Sequence, residues 1–186
     1  MKKVIFICLA FMMISSGCSI DKSSKNSGNN STATNNDIDI EQEIVFIYQY
    51  TNWASGYQNY GYVIDRNGNK KAFDLSELEE DYSSNTEKFI AYLEKLDDTS
   101  IKGTVDINEL KANYLLLKKI NISSKEYTEK ANGNDMGQKT LYGVIYNKDG
   151  THTLIEISSV GDFIRENKDK NAIKINSWFA SKRSTN

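Results

Sequence analysis

The segment Ile44-Val45-Phe46-Ile47-Tyr48-Gln49-Tyr50 constrains the fold of this chain more than any other. Its β-branched and aromatic residues favour extended backbone, and at its start apolar side chains fall on both sides of the pleat. Such a strand must be covered on both faces for at least half its length. Two further runs extend it into a meander. Tyr60-Gly61-Tyr62-Val63-Ile64 and Ala72-Phe73-Asp74-Leu75 flank Asp65-Arg66-Asn67-Gly68-Asn69, where Asn-Gly supplies the positive φ angles of a tight hairpin turn.

The hydrophobic period then changes. Phe89, Tyr92, Leu93 and Leu96 fall at i, i+3, i+4 and i+7, which predicts a helix over 86–96. Asp106 can cap a second helix whose stripe is Ile107, Leu110, Tyr114 and Leu117, with Glu109 completing a capping-box pattern. The polar stretch 121–137 carries no assignable period. Strand character returns at 140–146 and 151–157 around Asn147-Lys148-Asp149-Gly150, and Ala172, Ile175, Trp178 and Phe179 mark a terminal amphipathic helix. The expectation is an α+β fold: an antiparallel sheet of about five strands with about three helices packed mainly on one face. Tyr60-Gly61 and Tyr142-Gly143 both precede a turn glycine by the same interval, a weak internal echo that shared hairpin chemistry also produces.

One domain is what 186 residues with 39% hydrophobic content support. Its expected span is 43–186, because the preceding stretch is Ser-, Asn-, Thr- and Lys-rich with hardly anything apolar to bury. That stretch, 18–42, reads as a tether whose flexible part reaches roughly 25 Å. Ahead of it, Lys2 and Lys3 precede an apolar run over 4–14, about half the ~20 residues needed to span a bilayer, so 1–17 reads as a signal peptide. Removing it takes two of the 23 Lys and Arg residues and none of the 25 Asp and Glu, leaving a net charge near minus four. An acidic balance argues against nucleic-acid binding, which needs a basic surface.

Ser15-Ser16-Gly17-Cys18-Ser19 resembles the lipobox of bacterial lipoproteins, with Ser15 standing where that family usually has an aliphatic residue. The resemblance implies a diacylglyceryl group on Cys18, cleavage just before it, and anchoring at the outer face of a bacterial cell membrane. With the aromatic stretch around Tyr57 to Asn69, the chain is similar to uncharacterised surface lipoproteins of Gram-positive anaerobes, which brings no activity with it. The only other cysteine, Cys8, lies in the signal, so the mature domain has no pair for a disulfide or a thiolate metal site.

Few residues suggest chemistry. His152, the one histidine, has no partner motif such as GxSxG or HExxH. Asp65, Asn67 and Asn69 alternate like calcium ligands, but Lys70 and Ser76 occupy the places where an EF-hand needs Gly and a bidentate acid. Gly133 to Lys139 lacks the spacing of a phosphate loop and reads as a connector. Glu77, Glu79, Glu80 and Asp81 read as a solvated acidic segment, although paired carboxylates could also serve a hydrolase.

The unusual feature is aromatic. Tyr48, Tyr50, Trp53, Tyr57, Tyr60 and Tyr62 lie within fifteen residues, interleaved with Gln49, Asn52, Ser55, Gln58 and Asn59. Aromatic faces with neighbouring amides suit flat amphipathic ligands such as sugars or peptide segments. Trp53, Tyr57 and Tyr60, around the Gly56 bend, are the candidate ligand-binding residues. The expected function is a non-enzymatic module for a cell-envelope polymer, peptide or partner protein, with no cofactor. The alternatives are a peptide-sequestering, immunity-type lipoprotein and a carboxylate-dependent hydrolase.

Overall fold

The computed structural model describes residues 38–183, apart from 55, 79–81, 83–84 and 124–125. The signal peptide, Cys18, most of the tether, Ser55, Glu79, Glu80 and Asp81 therefore lie outside the described residues. The described chain is α+β, with eight strands in one antiparallel sheet and three α-helices.

The strands are β1 (Ile44–Asn52), β2 (Gln58–Asp65), β3 (Asn69–Asp74), β4 (Ile101–Thr104), β5 (Tyr127–Ala131), β6 (Gln138–Tyr146), β7 (His152–Gly161) and β8 (Phe163–Asn167). The helices are α1 (Thr86–Leu93), α2 (Ile107–Leu117) and α3 (Lys170–Arg183). Across the sheet the order is β4-β3-β2-β1-β6-β7-β8-β5. The expected count of about five strands is too low, because β4, β5 and β8 are added. All three are short, and β4 and β5 are the two edge strands, β4 exposed at half its positions and β5 at all but one. An edge strand shows little alternation of apolar residues because solvent reaches it, and polar edges also discourage pairing with other chains.

β1 sits in the middle and does what its sequence requires. Ile44, Val45, Phe46 and Ile47 are all essentially buried, and two separate clusters receive them. On one face Phe46 packs with Ile64, Leu141 and Ile155 against α2 and α3, through Leu110, Tyr114, Leu117, Ile175 and Phe179. On the other Ile47 packs with Val63, Phe73 and Val144 against α1, through Phe89, Ile90 and Leu93. Each such side chain contributes about 1.5–3 kcal/mol on burial. The expectation of helices mainly on one face thus describes α2 and α3 but omits α1.

Local chemistry fixes the elements. The Asn85 side chain caps α1 by accepting from Lys88 N at 3.0 Å. Asp106 caps α2 through Asn108 N and Glu109 N. Glu109 does not return to the cap as a capping box would: it accepts from Trp178 Nε1 and Lys182 Nζ, both at 2.8 Å, and so joins α2 to α3. These donors hold its carboxyl below the usual range, Lys182 most strongly. At the first hairpin only Gly68 has positive φ (85°), and Gly68 N donates to Asp65 O at 3.0 Å. The pattern is a type I turn followed by a left-handed glycine, and Gly150 repeats it. Gly143 serves a different need, since a Cβ there would lie 2.3 Å from Leu117 Cδ1. Its absence lets α2 sit directly on the sheet.

The packed chain reaches back beyond Glu43. Ile40 is buried in the α2–α3 cluster, and Gln42 is buried with its Nε2 donating to Val144 O. The last residues assigned to the tether are thus held by the domain, because Ile40 is apolar and Gln42 is satisfied by strand carbonyls.

Candidate functional site

The two faces of β1 and β2 divide the aromatic segment. Side chains alternate along a strand, so Tyr48, Tyr50, Tyr60 and Tyr62 fall on the α3 face. Tyr50 and Tyr60 rings are 5.0 Å apart, and Tyr62 stacks on Phe179 at 5.9 Å with an 11° tilt. Burial pushes the Tyr62 phenol up to about 12. These tyrosines form a seam beside the core, and Tyr60 at its outer end is 44% exposed.

Trp53 and Tyr57 lie elsewhere. Their rings are 4.4 Å apart, and both line a cavity of about 230 Å³ on the α1 face, with Gln49, Thr51, Tyr82, Thr86, Thr140 and Tyr142 among its other walls. The structure therefore brings together two of the three candidate residues, Trp53 and Tyr57, and leaves Tyr60 on the opposite face. Trp53 is 69% exposed, so an indole with one free face stands at the mouth.

A buried amide relay positions Tyr57. Asn59, fully buried, accepts from Gln49 Nε2 at 2.7 Å and donates through Nδ2 to the Tyr57 hydroxyl at 2.6 Å. Its backbone N–H donates to Ser76 Oγ, and its carbonyl accepts from Leu75 N. The Gln49 side chain is itself buried at 9% exposure, and among the described residues its Oε1 accepts no hydrogen bond. That oxygen is an acceptor at the cavity wall. Opposite it, burial raises the Tyr142 phenol, with the nearby Glu156 charge adding to the effect. Among the described residues, the walls of this cavity are aromatic, hydroxyl and amide groups with Leu154, and none of them is charged.

Sequence reasoning picked out Trp53 and Tyr57 but missed Tyr82, Thr140 and Tyr142. Antiparallel pairing of β1 with β6 places Gln49 opposite Thr140, a contact across ninety residues that no local pattern announces. The signal available was the alternation in β6 itself, where Thr140 and Tyr142 flank Leu141 and so share the opposite face.

The remaining candidates have structural partners. The Asp65 carboxylate accepts from Asn67 N, Asn69 N and Asn69 Nδ2, which accounts for the calcium-like alternation by turn chemistry. His152 Nδ1 lies 2.7 Å from Glu87 Oε2, tying β7 to α1 and holding the Glu87 carboxyl low. In the Gly133 to Lys139 connector, Met136 N donates to Asp162 Oδ1 at 2.7 Å. Glu77 is exposed.

Comparison with protein-family models, with curated proteins and with solved structures gives no match. The site must be read from its own geometry.

Asn59→Ala should cost about 1–3 kcal/mol of stability, because it leaves buried partners unsatisfied. Urea unfolding measures this, and an unchanged midpoint would show that the relay does not hold the site.

Proposed function

We propose that the chain is a lipid-anchored surface module that binds a cell-envelope glycan, without catalysis, in the cavity beside Trp53 and Tyr57. The observation that carries the reading is the exposed indole packed on a tyrosine that a buried amide relay holds in place. Rigid aromatic faces give contact area at small entropic cost, and fixed amides and hydroxyls orient a flat polar ring. The cavity is smaller than the ~300–1,000 Å³ typical for drug-sized ligands, which suits one ring of a longer chain.

Anchoring through Cys18 rests on the lipobox-like sequence alone.

Two measurements test the proposal. Cys18→Ser should abolish lipid labelling and release the protein into the medium; unchanged membrane retention would remove the lipoprotein reading. The full chain in detergent should co-sediment with purified cell-wall polymer, and a folded Trp53→Ala, Tyr57→Ala double variant should lose at least about tenfold in affinity, in line with interface aromatics worth 2 kcal/mol or more. Failure of the intact chain to sediment would end the wall-glycan reading.

A further inference from the structure

The aromatic cavity is one end of a longer trench. A second depression of about 320 Å³ shares Thr51, Thr140 and Tyr142 with it and continues over β6 and β7 to Glu156, Ser159 and Arg165. A third, of about 160 Å³, shares Thr51 and Trp53 with the first and reaches Asp135 and Asp162. Thr51 lines all three. A bulge where β7 pairs with Leu141 and Tyr142 turns both Glu156 and Ser159 toward this face, and Ser159 Oγ donates to Glu156 Oε1 at 2.9 Å.

The floor decides between a peptide and a sugar chain. β1 from Phe46 to Thr51, β6 from Gln138 to Gly143 and β7 from Ser158 to Val160 are paired on both sides, so under the trench most backbone N–H and C=O groups are already used. Extended peptides are held mainly by unpaired backbone groups of a sheet edge. Here recognition must come from side chains: aromatic faces, hydroxyls and the unpartnered Gln49 Oε1, which match hydroxyl-rich rings.

The charge decides which sugar chain. Among the described residues, the charged side chains lining the three depressions are Asp135, Glu156 and Asp162 against Arg165. Arg165 is already engaged, its Nε donating to Glu129 at 2.8 Å and its Nη1 to Glu156 at 3.4 Å. Asp162 accepts from Met136 N–H through Oδ1 and lines the trench. The trench is thus neutral at its aromatic end and negative beyond.

We propose that the ligand is a linear oligosaccharide bearing free amino groups, with a ring against Trp53 and Tyr57 and its ammonium groups over Glu156 and Asp162. The proposal rests on the reading of the aromatic cavity as a glycan site. It requires binding that weakens with salt, because partly exposed charge pairs are screened.

The test is calorimetric titration of the full chain in detergent with a glucosamine oligomer, its fully N-acetylated counterpart and an oligolysine peptide. The glucosamine oligomer should bind roughly threefold to tenfold more tightly than the acetylated one, the range expected for partly exposed charge pairs. Glu156→Gln and Asp162→Asn should each narrow that gap, and Trp53→Ala should weaken both sugars. Asp162→Asn keeps an oxygen for Met136 N–H and lies outside the Arg165 pairs, so it carries the test if Glu156→Gln does not fold. Equal binding of the two sugars, unaltered by either acid variant, overturns the amine assignment and leaves the glycan site standing. Binding of neither sugar overturns both readings. Oligolysine that binds while neither sugar does replaces the glycan with a cationic peptide.

Discussion

The structure depends on one strand that must be buried from both sides. Ile44 to Ile47 cannot meet solvent on either face, so helices are needed above and below the sheet. α1 covers Ile47 on one side, and α2 with α3 covers Phe46 on the other. Burial is complete only over the first part of β1; from Tyr48 onward the pattern turns mixed, and the strand runs out toward solvent at Asn52. The same strand therefore has a buried end that anchors the fold and an outer end that presents Gln49 and Thr51 and leads into Trp53.

That change along β1 creates the site. α1 begins at Thr86 and covers the inner part of the sheet, while the cavity opens where its first turn meets Tyr82, Tyr142 and the Trp53–Tyr57 pair. Beyond it the face over β6, β7 and β8 is lined mostly by polar residues, Gln138, Glu156 and Arg165 among them, with Phe163 at its edge. A polar sheet face does not call for a covering helix, and its side chains remain available to a ligand. The opposite face shows the contrast, since Leu141 and Ile155 there are apolar and α2 and α3 close over them.

Much of this was legible in the sequence where periodicity is strong. The two-sided character of Ile44 to Ile47, both hairpin turns, and the three helices follow from apolar spacing and turn residues close to where they occur. The missing strands show the limit: β4 and β5 lie at the edges, where solvent removes the alternation that marks a strand, and β5 falls in the polar stretch with no readable period. The site was half legible for a related reason. Trp53 and Tyr57 stand out because local sequence concentrates aromatics around Gly56. Tyr60 looked equivalent, but strand alternation sends it to the other face, toward Tyr50. Tyr82 and Tyr142 join only through tertiary packing, and the relay from Gln49 through Asn59 to Tyr57 requires the register of β1 against β2.

Native-state hydrogen exchange of the full chain tests the central claim most directly. If β1 is the strand on which both cores close, its amides at Phe46 and Ile47, with their partners in β2 and β6, should exchange only through global unfolding, while β4 and β5 exchange by local opening. Exchange from β1 as fast as from the edge strands would contradict the account, because the strand that positions Gln49 and Trp53 would then not be held from both sides.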